Sequence, residues 1–402
     1  MESKTIVCIS CYFKGYDFIE EMFQLGNNVL LITSEKLQNK NWPTHAIDEM
    51  FYMSEDDHAE WNLDHLVRGF SHIMKSRKID AVVALDDYDV EKAALIREVF
   101  RIPGMGQTTH RYFRDKLAMR QQAKDTSINV PEFTAIFNNN TVTEFIENVP
   151  APWVLKPRSE ASASGIKKLH SSDELWNAID CLNDERHLFL LESFKPGMVY
   201  HVDCLVYNKE IVFTCCSQYL APPMKVSHEG GVFRTRTLNR YSREYRDLQE
   251  MNTNVLKNFG LVHGATHTEF IKGEDGQYYF LETSSRVGGA HIPDMIEAAT
   301  GINIWHEWAR LENALLKKKP YEITKPTGFF SGLILSLANE KYPDTTLFER
   351  KEVVKFIPME HHIGIVYKSN DEGQILECLD EAAEKINNGL LQIIPPLEKP
   401  CS

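Results

Sequence analysis

The beginning of the chain alternates strand-like and helix-like segments, and this alternation restricts the possible folds more than any other feature of the sequence. Residues 5–11 are a short apolar, β-branched run, residues 17–25 have the apolar spacing of a helix that Gly26 would end, and residues 28–33 resemble a second strand. A helix between two such strands predicts a parallel pair. The alternation continues with a helical pattern at 63–75, a strand at 79–85 and a helical pattern at 90–100. We therefore predict a small open α/β domain that extends to about residue 112.

Polar residues follow two of these predicted strands. Lys14-Gly15 comes soon after the first strand, and Asp86-Asp87 directly follows the strand at 79–85. Ligands of open α/β sheets bind beyond the carboxyl ends of the strands. These four residues are therefore candidates for a functional rim, although ordinary polar loop residues would give the same pattern.

The rest of the chain has the pattern of mixed helices and antiparallel strands. A hairpin is indicated by strands at 200–207 and 210–216 that meet at Asn208-Lys209. The polar stretch 221–237 is long for a structureless connection, and such loops are usually functional. A last β-rich segment follows Pro326. From these changes in pattern we predict domains at 1–112, 113–190, 191–325 and 326–402.

Two carboxylates occupy a second predicted hairpin. Glu269 lies on a strand at 267–272 and Glu282 ends the partner strand at 277–282, with a turn of Gly273-Glu274-Asp275-Gly276 between them. Two unpaired carboxylates on one face repel each other, but together they suit a hard cation such as Mg²⁺. The run from Glu282 to Ala290 adds hydroxyls, a guanidinium and a Gly-Gly turn, a set that suits phosphate and an anionic intermediate. A solvated hairpin with an ion-paired arginine is the alternative interpretation.

Lys156 ends a short apolar strand, where a lysine without an anionic partner is uncommon. The loop of small residues at 159–165 follows it and contains Ser162, Ser164 and Gly165. Backbone N–H groups and hydroxyls of such a loop can close over phosphates. The loop is not a Walker A motif, because no Gly-Lys-Ser/Thr follows. The alternative is a plain hairpin loop beside a lysine that extends to solvent.

Five motifs then occur in one order along the chain. They are Arg114-Asp115-Lys116, Leu155-Lys156-Pro157 with its small-residue loop, Leu191-Glu192-Ser193-Phe194, Thr268-Glu269-Phe270, and Leu281-Glu282 followed after three residues by Arg286-Val287-Gly288-Gly289. In this order they resemble the landmarks of the ATP-grasp superfamily. Each motif alone is weak, but five in sequence argue against a chance match, and the likeness extends from Thr5 to about Gly301.

The resemblance implies an α/β protein of ATP-grasp architecture, in which an N-terminal open α/β domain precedes two α+β subdomains that clasp ATP. Under this resemblance 113–190 is the small lid subdomain, 191–325 the large subdomain, and 326–402 a C-terminal α+β segment packed on it. The implied ATP contacts are Lys116, Lys156, the loop with Ser162, Ser164 and Gly165, and Glu192, Ser193, Phe194 and Lys195 around adenine. The implied metal ligands are Glu269, Glu282 and Ser284, for Mg²⁺ or Mn²⁺. Arg286, together with Lys156, is the implied catalytic residue that steadies an acyl phosphate.

The sequence departs from the superfamily pattern at two positions. The acidic ribose contact expected seven residues after Glu192 is replaced by Val199, so that Tyr200, His201 or Asp203 would substitute for it. The expected metal-binding asparagine two residues after Glu282 is Ser284, whose hydroxyl can still coordinate magnesium, though more weakly.

The resemblance favours an ATP-dependent carboxylate–amine ligase that joins small substrates, and the mid-chain loop and the run from Arg286 to His291 favour amino acids as those substrates. The predicted substrate contacts are Arg234, Arg286, Gly288, Gly289 and His291, since arginines can pair with a substrate carboxylate. Two alternatives stay open: a bicarbonate-activating carboxylase of the biotin-carboxylase or purine-biosynthesis type, and a non-catalytic ATP-binding regulatory module.

Composition limits the other partners. The net charge of −13 disfavours nucleic acid, because phosphate backbones require a basic face. No apolar run approaches the roughly 18 residues of a membrane span, and no signal peptide is apparent. The eight cysteines are scattered without metal-site spacing. We therefore expect a cytoplasmic protein without membrane or nucleic-acid partners, with a homodimer possible by analogy to many relatives.

Overall fold

The computed structural model describes residues 3–56, 60–160, 165–224, 226 and 230–391. The strands are β1 (Thr5–Ser10), β2 (Asn28–Ser34), β3 (Glu49–Met53), β4 (Ala81–Ala84), β5 (Phe133–Ala135), β6 (Trp153–Pro157), β7 (Lys167–Leu169), β8 (Phe189–Ser193), β9 (Gly197–Tyr207), β10 (Glu210–Tyr219), β11 (Phe233–Thr237), β12 (Gly264–Gly273), β13 (Tyr278–Ser284), β14 (Phe330–Leu337), β15 (Val353–Phe356) and β16 (His362–Ser369). The helices are α1 (Tyr16–Gln24), α2 (Leu63–Met74), α3 (Val90–Phe100), α4 (Gln107–His110), α5 (Lys116–Asp125), α6 (Asn139–Asn148), α7 (Ser172–Asp180), α8 (Arg243–Phe259), α9 (Ile292–Thr300), α10 (Ile304–Leu316) and α11 (Glu372–Asn387). None of these helices combines the length and the apolar character that crossing a bilayer requires.

The N-terminal sheet is parallel, as the opening β-α-β pattern predicts. Its strand order is β3-β2-β1-β4, and β1 pairs in parallel with both β2 and β4. Because β1 is the first strand and its neighbours lie on opposite sides, the strand order reverses at the crevice between β1 and β4. Lys14 and Asp86 form an ion pair beyond the carboxyl ends of these two strands. The predicted rim residues therefore meet at the switch point of the sheet.

A small antiparallel sheet of order β5-β8-β6-β7 follows in the chain. Trp153 and Leu155 of β6 pack with Leu191 of β8 in a compact core against the helices α6 and α7. Residues alternate across a strand, so that Lys156 lies on the other face from these apolar side chains. The packing of this sheet therefore fixes the direction in which Lys156 points.

The largest sheet has eight strands in the order β13-β12-β9-β10-β11-β14-β16-β15. The predicted hairpin of β9 and β10 is confirmed, and both Asn208 and Lys209 adopt positive φ angles in its turn. One face of β9 buries Tyr200, Val202 and Cys204 against α8. The opposite face, called the polar face below, carries the buried polar residues His201 and Asp203 between the apolar Val199 and Leu205, and buried charged groups of this kind are uncommon without a partner.

The predicted loop at 221–237 is partly wrong, because its last residues form β11. This strand pairs with β10 on one side and with β14 on the other, and so joins the C-terminal strands to the large sheet. Its alternation of Arg234 and Arg236 with Phe233, Thr235 and Thr237 has the period of a strand. The arginines concealed that period, since they are not typical of a central strand.

Candidate functional site

Glu269 and Glu282 lie directly opposite each other on β12 and β13. Directly paired residues of antiparallel strands point to the same face, so the two carboxylates are neighbours. The Glu282 side chain is 35% exposed, and its Oε2 lies 2.9 Å from Nζ of Lys116. Lys116 begins α5 and also donates to the Glu160 carbonyl over 2.6 Å. The structure thus brings a predicted phosphate-binding lysine to a predicted metal-binding carboxylate.

A buried group of charges surrounds Lys156. Its ammonium forms an ion pair with Glu192, whose other carboxylate oxygen accepts a hydrogen bond from Nε of Arg120 over 3.0 Å. Arg120 is fully buried. Burial lowers the pKa of Lys156 to about 8, against the opposing effect of Glu192. Although burial alone would raise it, Arg120 and Lys156 hold the pKa of Glu192 below its usual range.

Arg286 is held by a residue of the N-terminal sheet. Its Nε donates to Oδ2 of Asp87 over 2.9 Å, its Nη2 donates to the same carboxylate, and Oγ of Ser284 donates to the other oxygen. Burial opposes the charged carboxylate, but Arg286 holds the pKa of Asp87 well below its usual range. Nη1 of Arg286 donates to the Val287 carbonyl. A guanidinium has five N–H groups, so among the described residues these contacts leave two for a substrate.

The polar face of the large sheet carries a buried network that the sequence analysis missed. The Asp203 carboxylate accepts from Nδ1 of His201 over 2.7 Å and from Nδ1 of His267 over 2.9 Å. Nε2 of His267 lies 3.6 Å from Oε1 of Glu269, which also accepts from the Tyr219 hydroxyl over 2.8 Å. A histidine and a carboxylate two positions apart on each of two predicted strands, in His-Val-Asp and His-Thr-Glu, were the available signal, because that spacing points both side chains to one face.

The charges of this network differ between its two imidazoles. Burial opposes protonation, but Asp203 raises the pKa of His267 to about 9. Burial lowers the pKa of His201, with Asp203 acting in the opposite direction. The two imidazoles in turn hold the pKa of Asp203 below its usual range, although its burial acts to raise it. A cationic His267 therefore lies between two carboxylates.

A cavity of about 790 Å³ adjoins this face. Residues 13–17, the turn at 288–291 and strand β14 line it, with Phe233 and Trp305 among its aromatic walls. Gly288 and Gly289 thus connect the end of the Arg286 segment with an open cleft. Such mixed apolar and polar clefts are typical of small-molecule sites.

One side of this cavity is acidic. The Asn303 amide donates to Asp17 and to Glu297, in each case over 3.2 Å. Lys355 is bonded to Asp294, and this hydrogen bond, with the charges of Glu297 and Asp17, raises the pKa of Lys355 against the effect of burial. Three carboxylates therefore lie near Lys355, while Lys14, the other lysine described in the cavity lining, is paired with Asp86.

Two predicted contacts need correction. His201 was expected near a ribose, but it is completely buried, and Asp203 and the Thr235 hydroxyl engage both of its ring nitrogens. Arg234 was expected at a substrate, but the bond between Thr235 and His201 directs Thr235 to the polar face and Arg234 to the opposite face. There Arg234 forms an ion pair with Asp380 of α11.

The other predicted residues have mixed placements. The amides of Ser193 and Phe194 already donate to the carbonyls of Glu132 and Pro152, so those amides do not face a ligand. Lys195 lies near Glu132, with Nζ and the carboxylate 3.2 Å apart. Ser162 and Ser164 lie outside the described residues.

Three predicted glycines and a histidine lie in or beside turns. Gly165 has a φ of 69°, and a Cβ there would lie 2.9 Å from the Pro157 ring, so the end of the small-residue loop packs on β6. His291 also has a positive φ, and its Nδ1 lies 2.8 Å from Asp294 at the cavity. Gly289 is open to the cavity, whereas Gly288 packs closely on the buried network.

Comparison with known proteins explains this architecture. Residues 113–290 match the ATP-grasp domain family. The structure of an L-amino acid ligase from Bacillus licheniformis covers 98% of this chain and 99% of its own, with a TM-score of 0.71 at 20% identity. An N5-carboxyaminoimidazole synthetase from Staphylococcus aureus complexed with ADP covers 96% and 98%, with a TM-score of 0.72 at 14% identity. The chain therefore has the ATP-grasp fold, as the five motifs predict.

Among sequence relatives, the chain is similar to the L-arginine-specific L-amino acid ligase of Bacillus subtilis. The two are 26% identical over 240 residues, which is 58% of this chain and 57% of that ligase. The chain thus spans little more than half of the length of this curated relative.

Proposed function

We propose that this protein is an ATP-dependent carboxylate–amine ligase that joins two small substrates, at least one of them an amino acid. The observation that carries the proposal is the approach of Lys116 to Glu282, with Nζ and Oε2 2.9 Å apart beside Glu269. Phosphate and metal groups of one nucleotide would meet at this point. The similarity to amino acid ligases supports the same activity.

The donor set fits a hard divalent cation. Glu269 and Glu282 present adjacent carboxylates, and Ser284 offers a hydroxyl oxygen two residues further along β13. Mg²⁺ prefers one or two carboxylates together with substrate phosphate oxygens. Bound there, the ion would neutralise phosphate charge and align the nucleotide.

The chain's own residues would divide the remaining work. Lys116 and Lys156 bind the phosphates of ATP. The backbone carbonyls around residues 193–195 line the adenine site. A substrate carboxylate oxygen attacks the γ-phosphorus, forms an acyl phosphate and releases ADP. The amine nitrogen of the second substrate then attacks the acyl carbon, and phosphate leaves. Arg286 stabilises the negative charge in both steps, which depend mainly on positioning and electrostatics.

We propose that the small sheet is the lid of this site. Its β6 carries Lys156 and leads into the loop at 159–165, and the lid would comprise residues 113–190 between the N-terminal domain, 1–112, and the large subdomain, 191–325. The segment 326–402 would complete the substrate cavity, since β14 lines it. Closure of such a lid excludes water from phosphoryl transfer.

The cavity beside Gly289 is the proposed amino-acid site. Its volume of about 790 Å³ exceeds the need of bicarbonate, which supports the ligase over a bicarbonate-activating carboxylase. Three carboxylates, Asp17, Asp294 and Glu297, line the cavity together with Lys14 and Lys355, and the two lysines are paired with Asp86 and Asp294. A substrate with a cationic side chain would complement this charge.

The first test is phosphate release from Mg-ATP with amino acids and small carboxylates, supplied singly and in pairs, with basic amino acids and bicarbonate included. We expect release only with particular pairs that contain an amino acid. Mass spectrometry should then detect a product with the mass of both substrates less one water, in amounts equal to the released phosphate.

Other outcomes would contradict the ligase proposal. Release with bicarbonate and no amine would support the carboxylase alternative. Nucleotide binding without release in any pair would favour a regulatory module, and release without the condensed product would indicate an ATPase.

The site also predicts a pH dependence. The pKa of Lys156 is about 8, and only its protonated form is a cation for the ATP phosphates. As the pH rises through this value, kcat/KM for ATP should fall and approach about a tenfold loss per pH unit. The measurement is the initial rate at subsaturating ATP, taken from about 1.5 pH units below the pKa of Lys156 to about 1.5 pH units above it.

Lys156→Arg is the control for this pH dependence, because a guanidinium stays charged throughout the range. In that variant the alkaline fall should disappear, even if the rate is lower. A fall of the same size in both proteins would assign the titration to another group.

A further inference from the structure

The contacts of the buried network on the polar face lead from Asp203 through His267 to Glu269. His267 lies opposite Asp203 in the strand register, and Glu269 lies opposite His201, so β12 and β9 hold the four side chains in two adjacent rows. A carboxylate only accepts hydrogen bonds, and both imidazoles therefore donate from Nδ1 to Asp203. This fixes the ring of His267 and points its Nε2 toward Glu269.

The Glu269 carboxylate is approached on one oxygen. The Tyr219 hydroxyl donates to Oε1 over 2.8 Å, and Nε2 of His267 lies 3.6 Å from that same oxygen. The Tyr219 hydrogen bond restricts rotation of the carboxylate, and the longer His267 contact places a ring nitrogen beside the same oxygen, Oε1. A carboxylate held in this way retains one oxygen for a cation.

Gly288 packs onto the same network. A Cβ built at Gly288 would lie 2.7 Å from Oδ1 of Asp203 and 3.1 Å from Nδ1 of His267. The backbone of the cavity turn therefore rests against the two groups that orient Glu269. The network is in contact with both the metal carboxylate and the proposed substrate cavity.

We propose that His267, fixed by Asp203, is a positioning residue that orients Glu269 for a divalent cation. This inference rests on the proposed function only in its assignment of Glu269 as a metal ligand. Partners of metal ligands orient them and commonly alter metal affinity when they are removed. His267 itself makes no contact with the cation and acts through Glu269.

Two substitutions separate positioning from general structural support. In His267→Asn the side-chain amide can replace Nδ1 as the donor to Asp203, but it is too short to reach Glu269. In His267→Gln the longer amide can replace Nε2 and donate to Glu269. A purely structural role predicts equal effects of both changes, whereas positioning predicts that glutamine restores what asparagine loses.

The experiment is Mn²⁺ binding, measured by electron paramagnetic resonance on the whole protein with a non-hydrolysable ATP analogue. We expect His267→Asn to weaken Mn²⁺ binding about 10- to 100-fold, and His267→Gln to stay within about threefold of the natural protein. His306→Asn, on the helix α10, is the matched histidine control and should leave binding unchanged. Melting temperatures check that each variant is folded.

The result is independent of turnover, so it separates this inference from the ligase proposal. Equal weakening in both His267 variants would overturn the positioning role, and so would the absence of Mn²⁺ binding in the natural protein. A transition metal that copurifies in stoichiometric amount and is lost in His267→Asn would also overturn it, since His201, Asp203 and His267 would then bind that metal directly. Normal Mn²⁺ binding with the expected variant pattern, but no condensed product from any substrate pair, would support positioning and reject the ligase alone.

Discussion

Replacing Lys156 by methionine is expected to lower kcat/KM for ATP by about 100- to 1000-fold, because a buried cation is removed from the phosphates in a site where water cannot replace it. The lysine is only 7% exposed and is directed by the packing of β6 in the small sheet. Methionine preserves most of the length and bulk of the side chain. The measurement is the initial rate of phosphate release as a function of ATP concentration, with the substrate pair held constant.

Lys167→Met is the matched control for this change. Lys167 lies opposite Leu155 on the neighbouring strand β7 and is exposed. Its replacement by methionine therefore removes one positive charge from the same sheet at a position outside the site. Its kcat/KM should stay close to that of the natural protein. In Lys156→Met the Glu192 carboxylate keeps its bond to Arg120, and the variant should therefore fold. Comparable losses in both variants, or a small loss in Lys156→Met alone, would contradict a phosphate role for Lys156.

Local patterns in the sequence were sufficient to predict much of this fold. The strand β1, the helix α1 and the strand β2 have complete hydrophobic periods and a glycine stop, and their parallel pairing follows from the connection between them. The closeness of Glu269 and Glu282 was also predictable from the short turn, but their direct pairing depends on a register irregularity between Glu269 and Phe270, without which Glu269 would lie opposite Leu281. These features depend on residues near one another in the chain.

Contacts between distant segments could not be predicted in this way. Asp87 and Arg286 are separated by 199 positions, and only the packing of the N-terminal sheet against the large sheet joins them. The sequence pattern assigned Asp87 to the rim of its own sheet and Arg286 to a catalytic segment, but nothing local pairs the two. The prediction for Arg234 differs from the structure for the opposite reason. The sequence of the short polar strand β11 resembles that of a loop, and a loop prediction does not say which face each side chain occupies.

The connection between Asp87 and Arg286 leads to the second large expected effect. Arg286→Lys should lower kcat for condensation by about 100- to 1000-fold, because lysine cannot keep two bonds to Asp87 and also present N–H groups to a substrate. The charge remains, so the affinity for ATP should change by less than about threefold. Product formation is measured by mass spectrometry at saturating substrates, and nucleotide affinity is measured separately by calorimetry.

Arg350→Lys is the control for this substitution, since Arg350 also binds carboxylates, those of Glu352 and Glu381, but on the C-terminal segment. It should leave both kcat and ATP affinity unchanged. If Arg286 instead served mainly to join the N-terminal sheet to the large sheet, Arg286→Lys and Asp87→Asn would lower the melting temperature together and spare kcat in the folded fraction. A selective loss of kcat at constant ATP affinity is expected only if the guanidinium acts on charge that develops during the reaction, because a ground-state contact with ATP would appear in the affinity as well.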